Sequence, residues 1–308
     1  MISSILRIVT IGRITLTEAV RQKVLTVLLL FGLCLVGSSV LFSKFATEDL
    51  NSAGLFVEQI KSVKDTGCGS IEIIGFFIAV LSTALMIPQE MQNRTIYTIL
   101  AKPVRRAEFL LGKFLGNILL VALCVTLMSL AFAGSLYWQE VQAIDQAKVM
   151  YNTQDPKWDQ NNNAKAMYDH DIAQIKAQVR DPQVVEAILL IFAELIMISA
   201  IAMLISTFAT SWIFTVITTA MIYLIGHWES IARAAWLARG PDTNMWQSGM
   251  VGLISLLIPD LNSFTIVDEI LAGNRVPWAH TLNLLGYADI YILVLLAVSI
   301  VIFEFREL

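Results

Sequence analysis

Charge is scarce in this chain. Of 308 residues only 15% are charged, while 56% are hydrophobic. Soluble domains carry about 25% charged residues. A chain this apolar, with mean hydropathy +0.69, needs a bilayer as solvent for much of its surface. Cysteine and histidine are equally sparse, at three each. Cys34, Cys68 and Cys124 are widely separated and make no ligand-like cluster. Cys34 and Cys124 lie in apolar segments and read as small core residues. Cys68 lies outside those runs, and no intrachain disulfide is expected. No phosphate loop is present: Gly112-Lys113 is followed by Phe114 and lacks the required earlier glycine, so ATP is not bound that way. There is no His-Glu-x-x-His, no Cys-x-x-Cys and no Gly-x-Ser-x-Gly elbow. His170, His227 and His280 are far apart, and His170, between Asp169 and Asp171, reads as a solvated turn rather than a metal site. No catalytic or metal-ligating residue is assigned. A net charge of −4 argues against nucleic acid as a partner.

What is abundant is long apolar sequence. Six segments stand out: 24–42, 71–87, 114–137, 187–208, 213–226 and 286–303. A helix needs about 20 residues, within a range of about 17–25, to cross the hydrocarbon core. The first, third, fourth and sixth segments meet this easily, the second is at the short end, and the fifth must borrow flanking residues such as Trp212 and His227. The stretch 250–258 is too short to span and stops at Pro259, so it reads as re-entrant or surface-lying. The expected fold is an all-α polytopic membrane protein with six transmembrane helices in one domain, 1–308. The first long run starts near Val24 after polar and basic residues and lacks a cleavage site, unlike a signal peptide.

Charge placement sets the orientation. Arg7, Arg13, Arg21 and Lys23 precede the first span. The segment 88–113, between the second and third spans, carries Arg94, Lys102, Arg105, Arg106 and Lys113. Short basic loops stay in the cytoplasm, which places both termini and this loop there. The stretch 138–185 is long, its basic residues are balanced by acidic ones, and long loops translocate largely regardless of charge, so it is expected outside. It reads as a helical hairpin: Ala164, Tyr168, Ile172, Ile175 and Val179 form one stripe, and Val141, Ile144, Ala147 and Tyr151 supply a facing one. Asp155-Pro156 and Asn161–Asn163 break the pattern between the arms. Residues 1–23 form an amphipathic interface helix with Ile5, Ile8, Val9, Gly12, Leu16 and Val20 on one face. Region 227–285 holds Trp228, Trp236, Trp246 and Trp278 and is expected at the outer membrane surface, with short helices dipping in.

Ionisable residues within spans are expensive and raise a functional question. Glu194 lies well inside the fourth span. It either lines a translocation path or makes a structural hydrogen bond. Glu72, at the end of the second span, reads as interfacial.

The pattern resembles the permease (membrane) subunits of ABC-2 type ABC exporters. The motif Glu90, Thr95, Pro103, Arg106 and Gly112-Lys113 carries the resemblance. So do the N-terminal run Thr15–Leu25, which is similar to the family's amphipathic leading helix, and Leu257–Phe264 before the last span. The resemblance implies a non-catalytic permease that pairs with a second copy, as homo- or heterodimer. It implies a separate ATP-binding subunit, which would hold ATP and magnesium. It also implies a short coupling helix at about Glu90 to Leu100, seated in that subunit. The residues assigned to coupling are Glu90, Met91, Arg94, Thr95, Ile96, Ile99, Pro103 and Arg106. No cofactor is expected in this chain. The long hairpin is a candidate dock for an extracytoplasmic partner. The expected location is a bacterial cytoplasmic (inner) membrane. Lipid-linked molecules, peptides, drugs and metal-related cargo all remain open as substrate. The other readings are an ATP-independent secondary transporter or channel, and a membrane scaffold.

Overall fold

The structure is a computed structural model that describes residues 2–46, 55–92, 105–154, 156–237, 259–271 and 273–305. Among these, all regular structure is helical. The helices are α1 (Ile2–Val20), α2 (Lys23–Ala46), α3 (Leu55–Gln92), α4 (Arg106–Gln154), α5 (Asn162–Val179), α6 (Gln183–Phe208), α7 (Trp212–Leu237), α8 (Ile266–Leu271) and α9 (Trp278–Phe305). Short 3₁₀ turns lie at Trp158–Gln160 and Leu261–Thr265.

Among the described residues, five helical stretches are long and apolar enough to cross a membrane, on α2, α3, α4, α5–α6 and α9. The fifth expected span lies on α7, where the apolar stretch Trp212–Trp228 is shorter. Hydropathy underestimates the helices at several ends. α3 begins at Leu55, far ahead of the apolar run at 71–87, and α4 continues unbroken from its span to Gln154. α7 runs on to Leu237 and α9 begins at Trp278, so the stretch 227–285 is helical at both ends. Its apolar run 250–258, with Trp246, lies outside the described residues.

Lipid is as apolar as leucine, so helices in a membrane associate by close packing, small residues and polar contacts rather than by hiding apolar surface. α6 is the central helix: 72% of its apolar window is buried, against 28% for α2 and for α9. Its buried face is rich in small residues, Ala193, Ser199, Ala200, Ala202, Ser206 and Thr207. The buried hydroxyls bond back to their own helix, as Ser199 does to the Leu195 carbonyl at 2.9 Å. Between α3 and α4, Asn117 makes a buried polar contact. Its Nδ2 donates to Thr83 Oγ1 at 2.9 Å, and its Oδ1 accepts from Ser82 at 2.5 Å.

The same reasoning corrects the reading of Cys34, which is exposed on α2 while Cys68 and Cys124 are buried. An apolar sequence marks burial only in water; here the surface facing lipid is apolar too, with Leu30, Phe31 and Leu41 exposed beside Cys34.

α1 lies against the first turns of α4. Gly12, Thr15 and Ala19 are buried there, while Ile5, Val9 and Val20 are exposed. The predicted single stripe therefore divides into a packing edge of small residues and an apolar edge left open. The helices touch almost backbone to backbone. A Cβ on Gly116 would sit 2.6 Å from Thr15 Cβ and 2.7 Å from the Gly12 carbonyl oxygen. One on Gly112 would sit 2.7 Å from Ile11 Cβ. Gly112-x-x-x-Gly116 is thus a close-crossing surface of the kind small residues provide in membranes.

At the opposite end, the start of α3, the end of α4 and all of α5 form a second packed unit. Phe56, Ile60, Ala143, Ala147 and Ile175 are its buried centre, with Ile144, Tyr168, Ile172 and Val179 against it. Tyr151 donates to Asp171 Oδ2 at 2.8 Å, and Asn161 caps α5 by accepting from the Asn163 N–H at 3.1 Å. Arg180 pairs with Glu140 at 3.0 Å. The junction to α6 holds Lys64, 0% exposed, with its Nζ 3.7 Å from Asp181.

Candidate functional site

Two places carry chemistry. The first is the connection between α3 and α4. α3 continues through Met91 to Gln92, so the backbone at Glu90 and Met91 is helical. The side chains of these two residues, and Arg94, Thr95, Ile96, Ile99 and Pro103, lie outside the described residues. Arg106, which opens α4, is described. Its Nη1 donates to the Phe303 and Glu304 carbonyls at 3.1 and 3.0 Å. A guanidinium there satisfies the last carbonyls of α9 and meets the negative end of its dipole. Glu108, two residues on, accepts from the Arg105 N–H at 3.4 Å, one half of a capping box. The same carboxylate oxygen stands 3.5 Å from Arg7 of α1. Lys113 reaches Glu18 of α1 at 3.5 Å. The beginning of α4 is therefore tied by polar contacts to α1 and to the end of α9, and the paired glycines bring α1 into contact with it. The Gly112-Lys113 pair has a local physical role: the glycine admits α1, and the lysine holds it.

The second place surrounds Glu194, on α6. Glu194 is 3% exposed. Its Oε1 has no hydrogen-bond partner among the described residues. Glu72 of α3 faces it, and so does His227 of α7. One ligand atom from each of the three lies within 4.8 Å of the others. Tyr223, one turn before His227, donates its hydroxyl to Glu72 Oε1 at 3.1 Å. The Tyr223 ring lies 4.5 Å from the Phe76 ring and 4.6 Å from the His227 ring. Nδ1 of His227 is buried without a hydrogen-bond partner among the described residues. Close packing of α3 on α6 makes the convergence possible: a Cβ on Gly75 would sit 2.5 Å from Leu195 Cδ1. Asp268 of α8 is exposed.

Glu194 was visible in the sequence as a carboxyl inside an apolar run. Glu72 is not an isolated interfacial residue, because α3 extends well beyond it on both sides and turns it toward Glu194. His227 and Tyr223 were missed. Their signal was the i, i+4 pair Tyr223-x-x-x-His227, which puts both on one face of α7, matched by Glu72-x-x-x-Phe76 on α3. His170 stands 3.8 Å from Asp171 on the surface of α5, remote in the fold from this cluster.

Membrane-spanning apolar helices in an all-helical bundle define an integral membrane protein. A family model described as ABC-2 family transporter protein matches residues 9–308, and the chain belongs to that family. Among curated proteins, none matches the chain.

Proposed function

We propose that this chain is the permease subunit of an ATP-driven exporter. It forms the translocation path, with a second permease copy beside it and a separate ATP-binding subunit that binds and hydrolyses ATP. Membership of the ABC-2 transporter family carries the reading, and the contacts at the start of α4 support it. A short helix at about Glu90 to Leu100 would seat in the ATP-binding subunit. Force applied there passes directly into α3 and α4. Through Arg106, Glu108 and Lys113 it reaches the end of α9 and the whole of α1 as well. One push thereby moves α9 and α1, which no direct chain connection joins to this segment, together with α3 and α4. Six spans with α7 as the fifth, both termini in the cytoplasm and the α5 hairpin outside complete the topology, in a bacterial inner membrane.

The test is co-purification from native membrane, with mass spectrometry of what accompanies the tagged chain and an ATP hydrolysis assay. An ATP-binding subunit that accompanies the wild type, and is lost or uncoupled in Glu90→Ala and Arg94→Ala, supports the proposal. A chain that purifies alone and shows no ATPase under any condition refutes it. It then favours a carrier driven without ATP, the reading to which the convergent Glu72, Glu194 and His227 give weight, because carriers place ionisable groups within the membrane.

A further inference from the structure

We infer that Glu72, Glu194 and His227 form a binding site for a divalent first-row transition-metal ion, held between α3, α6 and α7.

Three observations lead there. First, the ligand atoms converge from three separate helices to within 4.8 Å of one another. Around zinc, with ligand atoms about 2.0–2.2 Å from the metal, tetrahedral neighbours stand about 3.4 Å apart. Closing the cluster on an ion therefore takes side-chain movements of about 1 Å, well within rotamer adjustment. Second, two of the three ligands are left unsatisfied by protein. Glu194 Oε1 and His227 Nδ1 are buried with no hydrogen-bond partner among the described residues. Leaving such an atom unpaired is costly, more so where the group is charged, and membrane helices have no bulk water to relieve it. A cation placed among them satisfies both at once. Third, the outer contacts are those of a ligand site. Tyr223 donates to Glu72 Oε1 at 3.1 Å, which fixes the orientation of that carboxylate. Outer hydrogen bonds of this kind orient metal ligands.

The donor set selects the ion. Two carboxylates supply the charge that a dication neutralises, and the imidazole favours zinc, iron or nickel over calcium and magnesium, which prefer all-oxygen shells. Cys68 lies one turn before Glu72 on α3, but its sulfur is not among the converging atoms, so the set is not a thiolate site. With three protein ligands, a fourth position stays open to water or an exchanging ligand. Such a site would hold its ion whatever powers transport.

The experiment uses the full chain, purified in detergent and stripped with a chelator. Zinc, manganese, calcium and magnesium salts are added singly. Thermal unfolding and bound metal, by mass spectrometric elemental analysis, are read for each. Zinc is expected to bind at one ion per chain and to raise the melting temperature, with calcium and magnesium at the same concentration doing neither. Glu194→Gln, Glu72→Gln and His227→Gln each abolish the tight ion, and Tyr223→Phe weakens zinc affinity by about tenfold or more. His170→Ala, which removes the exposed surface histidine, leaves binding unchanged. Each variant is first melted in chelator, so a folding defect is separated from lost binding. If Glu194→Gln does not fold, His227→Gln carries the test. Zinc content that survives these substitutions, vanishes with His170→Ala, or is matched by calcium overturns the inference.

Discussion

Gly116→Ala should destabilise this protein, although alanine is the better helix former. In an isolated helix the change would gain about 1 kcal/mol. Here the new Cβ would lie 2.6 Å from Thr15 Cβ and 2.7 Å from the Gly12 carbonyl oxygen. Carbon atoms pack best at about 3.5–4.0 Å, so α1 must retreat by about 1 Å. Neither obstacle can rotate away, because one is a Cβ and the other is backbone. Overpacking of this kind costs about 1–3 kcal/mol, which leaves a net loss of about 1 kcal/mol after the helical gain. Gly134, also within α4, has nothing within 4 Å of its would-be Cβ. There the same substitution should raise stability by up to about 1 kcal/mol. The protein supplies its own reporters for thermal unfolding in detergent: Cys68 and Cys124 are 1% and 5% exposed, so a thiol-reactive dye labels them only on opening, while the exposed Cys34 gives a constant baseline. Opposite shifts for the two alanines are expected. A Gly116→Ala protein that melts at or above wild type would show that α1 does not sit on α4 in this register.

Asp181→Ala should cost about 3 kcal/mol, the lower end for breaking a buried pair, because it strands Lys64 at 0% exposure and removes the acceptor of the Gln183 N–H. Lys64→Met with Asp181→Leu should recover most of that loss in the same melting assay. Asn117→Leu should be mild, about 1 kcal/mol for two interhelical bonds at about 0.6 kcal/mol each, because Ser82 and Thr83 keep bonds to the Ala79 carbonyl; a loss several times larger would point to unseen dependence on the amide. Arg106→Gln should lower stability by about 0.3–1 kcal/mol through the lost charge at the α9 C-terminus. Reconstituted with the ATP-binding subunit proposed above, the same variant should show weaker coupling of hydrolysis to transport, measured as cargo moved per ATP.

The α1–α4 crossing shows what sequence could and could not reveal. Gly112 and Lys113 were noticed as a motif, and α1 as amphipathic, but nothing local said that each explains the other. The contact joins residues about a hundred positions apart, and the small residues that make it carry almost no hydrophobic signal. Hydropathy also misjudged lengths, since the polar turns that extend α3 below Ile71 and α4 past Tyr137 bury their apolar face on each other rather than in lipid.

The sequence by itself determined the solvent, the helical class and the family. A chain with so little charge must live in a bilayer, and only helices or closed barrels satisfy their backbone there. It also marked Glu194 as out of place. Tertiary structure alone decided what Glu194 faces. Glu72, Tyr223 and His227 lie on other helices, and helix-to-helix rotation and register are fixed by close steric fit, such as Gly75 against Leu195. Because lipid offers no hydrophobic penalty to read, those orientations leave no trace in an apolar sequence until the helices are packed.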